Sequence, residues 1–242
     1  LLLSDWIAVL RKMETTLKRI GSKKFFSSTD ENVKKDRESF ALMYFMVAMK
    51  KVTGLDWFLL PVKDQFPDFS LLVFDGNPPG IGFAQIELVE VPPRCTSIEE
   101  ARVIIKGKLE NHYSTTNYDL LIYLNNAQSP TWVEQLKESL LSPGPFRRVW
   151  VLRLEGSSTN TEITGCVVNR LFHQPIETIR VDMNDPAVYR RQSLPAYIEE
   201  EVINGVPYIR VKPEVMKELL FEMRKETLTR SRTQRIDRDS EK

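Results

Sequence analysis

Two segments of this chain, DLLIYL at Asp119–Leu124 and VWVLRL at Val149–Leu154, are apolar at nearly every position. A strand that faces water on one side alternates apolar and polar residues; a strand covered on both faces has no need to. Between the two lies SPTWVEQLKESLL, which reads as a helix with Pro130 near its start. Strand, helix, strand predicts a parallel pair, and burial on both faces predicts an α/β fold: a mixed β-sheet flanked by helices on both faces. The length of 242 residues suits one large domain, or a medium one with appendages.

The flanking patterns extend this reading. Trp6, Leu10, Met13, Leu17 and Ile20 recur at helical spacing, with Ser4 or Asp5 able to cap and Gly21 able to stop an amphipathic helix. That helix would dock on the rest of the chain or on a partner. The following SKKFFSSTDENVKKDR is polar and reads as a loop. Glu38–Gly54 is apolar nearly all round, as a deeply buried helix requires. Leu55–Lys63, Phe69–Phe74 and Ile81–Val91 read as three strands joined by short loops, hence a meander. A helix capped at Thr96 or Ser97 runs to about Tyr113, with Glu99 and Glu100 at its positive end. Two more strands follow Gly156, within TEITGCVVNRLF and IETIRVDM. Asn204-Gly205 signals a two-residue hairpin, and Pro213 opens a last helix. The expected organisation is an N-terminal helix and linker over residues 1–34, an α/β core over 35–183, a hairpin-helix over 184–226 and a disordered tail over 227–242.

Composition excludes several classes. The net charge of +1 gives no global field for a polyanion, though it leaves room for a local basic groove. Cys95 and Cys166 stand alone, without zinc spacing, and fit a reducing, cytoplasmic setting. With His112 and His173 the only histidines, a histidine-rich metal site or a Ser-His-Asp triad lacks material. No run reaches the ~18 apolar residues that span a bilayer, so no membrane association is expected.

One polar feature interrupts the meander. In FPDFSLLVFDGNPPGIGFAQIELVEV, Phe66–Val91, Asp68 opens the first apolar run while Gln85 and Glu87 sit within the second. Residues two apart on a strand share a face, so Phe83, Gln85, Glu87 and Val89 point one way. If the turn centres near Asn77-Pro78, residues whose numbers sum to about 155 lie opposite, which sets Asp68 across from Glu87. Two carboxylates brought together repel; a shared proton or a cation relieves them. Magnesium, satisfied by few protein ligands plus water, is chemically apt.

Pro67-Asp68, a polar pair 17 and 19 positions on, and the order helix–strand–strand–strand–helix–strand together resemble the PD-(D/E)XK (restriction-endonuclease-like) superfamily over roughly Glu38 to Glu155. The resemblance implies a nuclease-like core, magnesium as cofactor and nucleic acid as partner. It makes Asp68 the first metal ligand. The second half of the motif fits in two registers. Gln85-Ile86-Glu87 puts Gln at the acid position and Glu at the Lys position; some members use Glu in place of that Lys, which favours this register. Glu87-Leu88-Val89 supplies the acid and replaces the Lys by Val89. Some members carry the Lys on the following helix, where Lys108 falls in the apolar arc of Ile98, Ala101, Ile104, Ile105 and Leu109. Glu38 matches the acid that members often carry on the first helix.

The resemblance implies a magnesium-dependent phosphodiesterase using Asp68, Glu87, Gln85 and Lys108, with Glu38 as a further metal ligand. The alternative is a nuclease-fold binding or assembly module without chemistry, homo-oligomeric through its N- or C-terminal helix. Plainer roles exist for each residue. Asp68 after Pro67 can open a turn, and Gln85 and Glu87 can face solvent. Lys106 and Lys108 can be surface lysines, and His112 can serve a helix end. Trp57, Trp132 and Trp150 are expected in the core.

Overall fold

The computed structural model describes residues 2–60, 68–75, 80–109, 118–125, 131–140, 142–156, 163–173, 175, 177–190, 198–203, 206–213 and 215. In chain order the elements are β1 (Leu2–Asp5), α1 (Trp6–Ile20), α2 (Ser22–Ser27), α3 (Glu31–Thr53), β2 (Trp57–Leu60), β3 (Phe69–Asp75) and β4 (Gly80–Val91). There follow α4 (Ile98–Leu109), β5 (Tyr118–Leu124), α5 (Thr131–Leu140), β6 (Arg148–Gly156), β7 (Ile163–Arg170), β8 (Glu177–Asp182), β9 (Ile198–Ile203) and β10 (Val206–Val211).

The strands form one mixed sheet in the order β8-β7-β6-β5-β4-β3-β2-β1-β10-β9. β2, β3 and β4 are an antiparallel meander, and β5 and β6 add in parallel to β4 and to each other. The uninterrupted apolar runs are the central strands: Asp119–Leu124 and Val149–Leu152 are buried throughout. Alternation then splits each strand between two cores. Leu121, Tyr123, Trp150 and Leu152 face α1 and α3, while Leu120, Ile122, Val149 and Val151 face α4 and α5.

α3 lies between the sheet and α1, which is why its burial is continuous from Phe40 to Met49. The apolar side of α1, with Trp6, Val9 and Met13, packs on it within the same chain. Gly54 stops α3 in the left-handed conformation that glycine tolerates, its N–H donating to the Lys50 carbonyl.

Three expectations change. The polar segment before Glu38 is helical, not a loop: α2 occupies Ser22–Ser27 and α3 begins at Glu31, capped by the Asp30 carboxylate on the N–H groups of Asn32 and Val33. The expected boundary between residues 34 and 35 thus falls inside α3. Leu2–Asp5 is a strand rather than a helix lead-in, pairing with β10 on one side and β2 on the other. Through β1 the β9–β10 hairpin joins the main sheet. There the sheet curls, so that Ile198 and Val211 cover Phe58, Leu72 and Phe74.

His112, Asn204-Gly205, most of the helix expected after Pro213 and the C-terminal tail lie outside the described residues. Trp132 and Trp150 are core residues, with Trp57 packed at the edge of the core. Both cysteines are buried free thiols. Among the described residues no helix is long and apolar enough to cross a membrane.

Candidate functional site

The β3–β4 pairing runs from Phe69 opposite Ile86 to Asp75 opposite Gly80. Every pair sums to 155, the register the sequence suggests, and Asp68 therefore arrives beside Glu87. The Asp68 N–H donates to Glu87 Oε2 at 3.4 Å, and the Leu88 N–H donates to Asp68 Oδ2 at 2.9 Å. Beyond this point β4 continues to Val91, paired in parallel with β5. Among the described residues β3 begins at Phe69, which leaves a notch along that edge of β4, and Asp68 stands at its corner.

α4 brings Lys108 to the same corner. Its ammonium hydrogen-bonds Glu87 Oε1 and lies 3.6 Å from Asp68 Oδ2. Lys108 is therefore not a plain surface lysine, as its place in the apolar arc suggested; Lys106 is exposed. The Glu87 side chain is only 2% exposed, whereas Asp68 is 39% exposed and Lys108 30%. Burial pushes the Glu87 carboxyl above its ordinary range, the Lys108 hydrogen bond pulls it back, and the Asp68 charge pushes it up again.

Gln85 shares this face of the sheet but sits opposite Ser70, two pairs further from the notch. It does not line the cavity beside Asp68. Of the two motif registers, the one placing the acid at Glu87 is the one gathered at Asp68.

The notch opens into a cavity of about 620 Å³. Its lining includes Asp68, Glu38, Glu90 and Lys108, together with Ser27–Thr29, Lys35 and Arg94. Glu38 comes from α3, and Lys34 is 3.9 Å from it. Among the described residues no three carboxylate, histidine or cysteine side chains come close enough to hold one ion, so Glu38 is not gathered into a shared ligand set with Asp68 and Glu87. Two carboxylates remain. Magnesium, which binds through one or two carboxylates and keeps its waters, fits that donor set. Asp68 Oδ1 has no hydrogen-bond partner among the described residues, which leaves it available to such an ion.

Burial pushes Glu38 up to about 7; Lys34 lowers it, and the Asp68 and Glu90 charges raise it. A carboxyl raised in the folded state holds its proton more tightly there than in the unfolded chain. Its contribution to stability is complete below about 4.5 and is lost as pH rises through about 7. Glu38→Gln, which stays neutral, should match the parent at pH 4 and exceed it by about 3 kcal/mol at pH 8, measured by urea denaturation in EDTA. Parallel pH–stability curves for the two proteins would refute this.

Sequence reasoning missed a network behind the cavity. Arg37 of α3 is bidentate to Glu90 of β4, Nε to Oε1 at 2.7 Å and Nη2 to Oε2 at 2.8 Å. Its Nη1 donates to the carbonyls of Phe25 and Ser28, and the Asn125 amide donates to Glu90 and to the Phe26 carbonyl. The only local hint was Glu90 itself, a carboxylate in an apolar strand on the face opposite Glu87.

Neither thiol suits nucleophilic chemistry: burial raises both, Cys166 to about 12. No protein-family model, no curated protein and no solved structure matches this chain.

Proposed function

We propose that this chain is a divergent protein of the PD-(D/E)XK (restriction-endonuclease-like) kind, acting as a magnesium-dependent phosphodiesterase on nucleic acid. One observation carries the reading: Asp68 from β3, Glu87 from β4 and Lys108 from α4 meet where β3 leaves β4, beside an open cavity. In hydrolysis a water oxygen bonds to phosphorus, the bond from phosphorus to a sugar oxygen breaks, and that oxygen takes up a proton. Asp68, which faces the cavity, and Glu87 behind it are the residues that would hold the ion. A bound magnesium ion would supply Lewis acidity to the phosphate and lower the pKa of a bound water. Lys108, already at the corner, is positioned to balance negative charge developing on the phosphate.

The test is direct. The full chain is incubated with end-labelled DNA and RNA, single-stranded and duplex, in magnesium, manganese or EDTA. Cleavage in either metal and none in EDTA is the expected result. Every substrate intact in both metals would end the enzymatic reading.

A second reading has its own support. Lys108 already neutralises the Asp68–Glu87 pair without any ion, as a nuclease fold retained for binding or assembly would have it. In that case calorimetric titration with manganese gives no heat of binding, and Lys108 serves as the permanent counter-charge.

A further inference from the structure

The shape and charge of the cavity speak to the form of the substrate. Five cationic side chains line it, and three already have acidic neighbours. Arg37 is held by Glu90, Lys108 by Glu87 and Asp68, and Lys34 stands between Glu31 and Glu38. Lys35 and Arg94 are exposed and have no ion pair among the described residues. They come from separate elements that line the same cavity: Lys35 from the first turns of α3, Arg94 from the Pro92–Arg94 turn after β4. The same cavity is also lined by the apolar side chains of Phe26, Pro92, Pro93, Leu88 and Val89. Two exposed cations without ion pairs among the described residues, together with apolar side chains in the same cavity, suit a strand whose phosphates meet the cations while a base meets the apolar surface.

A duplex presents itself that way only by first unpairing and unstacking a base. Its bases are stacked inside, and it would offer the notch only backbone. A single strand splays its bases, and proteins that bind such strands combine cations along the backbone with apolar or aromatic surfaces for the bases. The cavity of about 620 Å³ has the volume of a small-ligand site. With a net charge of only +1, no global field would favour the more densely charged duplex.

We propose that the substrate enters as a single strand, its phosphates on Lys35 and Arg94 and a base against the apolar surface of Phe26, Pro92 and Pro93. The role of the strand as substrate rests on the phosphodiesterase reading; the strand preference itself does not. The experiment is therefore run in EDTA, where nothing is cut. Fluorescence anisotropy with the full chain compares a labelled single-stranded 12-mer, as DNA and as RNA, with a blunt duplex of the same sequence. The single strand should bind at least about tenfold tighter, and Lys35→Ala with Arg94→Ala should weaken it about tenfold. Loss of two phosphate contacts should also flatten the plot of log affinity against log salt by about 1.4. Equal or tighter duplex binding overturns the proposal, as does unchanged affinity and salt slope in the double variant. A single strand bound preferentially in EDTA yet left intact in magnesium supports this inference and sinks only the phosphodiesterase reading.

Discussion

Asp68→Asn is expected to lower phosphodiester cleavage about 10²–10³-fold, the scale of losing one group that stabilises charge in an active site, while the metal-free protein keeps its stability. Asparagine has the shape of aspartate, and its side-chain oxygen can still accept from the Leu88 N–H. What disappears is charge. Two opposing terms then decide the stability of the metal-free fold. The Lys108–Asp68 pair, at 3.6 Å and with both groups about a third exposed, contributes about 0–1 kcal/mol. Against it stands the repulsion between Asp68 and the buried Glu87, which the substitution removes. The two terms have opposite signs, so the melting temperature in EDTA should stay within a few degrees of the parent. An ion that needs the Asp68 charge has no such compensation. Activity and stability should therefore separate. A variant that melts much earlier as it loses activity would mark Asp68 as structural, and an undiminished cleavage rate would remove the notch from the mechanism.

The parts of this site legible in the sequence are those fixed by periodicity. Strand alternation and the compact turn set the β3–β4 register, hence Asp68 beside Glu87. The helical wheel of α4 turned Lys108 toward the sheet. The unbroken runs at Asp119–Leu124 and Val149–Leu154 foretold a sheet covered on both faces. What escaped was fixed at long range. The first turns of α3 carry Asn32, Lys34, Lys35 and Asp36, with no apolar period to announce a helix. They are held by the Asp30 cap and by Arg37 reaching across to β4. Leu2–Asp5 looks like the lead-in to α1, yet it pairs with a strand near the other end of the sequence. Local propensity has no means of registering either contact. The same holds for Lys35 and Arg94, which acquire a common neighbourhood only once α3 and the β4 turn line one cavity.

The network behind this cavity yields the second large expected effect. Arg37→Met should cost about 3–5 kcal/mol, the range for breaking a buried ion pair by removing one partner. The Arg37 and Glu90 side chains are only 6% and 7% exposed, so solvent cannot take over the solvation of the carboxylate left behind. Methionine fills most of the arginine's length but donates nothing. Glu90 would keep the Asn125 amide alone, and the carbonyls of Phe25 and Ser28 would lose their donor. The magnitude separates two accounts of the network. If the cost is mainly the stranded charge, adding Glu90→Gln to Arg37→Met should recover more than half of it, because a neutral amide needs far less compensation when buried. If the cost is mainly the untied segment before α3, the second substitution recovers little. Urea denaturation of the parent, both single variants and the double closes this cycle. We expect the first outcome for stability, with a distinct trace of the second in binding. The Phe25 and Ser28 carbonyls, through Arg37, hold the Ser27–Thr29 segment of the cavity lining in place, and neither substitution replaces that donor. The double variant should therefore regain most of its stability and still bind single-stranded oligonucleotide more weakly than the parent. A loss below about 1 kcal/mol in Arg37→Met would show instead that the pair behaves as a solvated surface bridge, and would contradict the burial on which the placement of the cavity wall depends.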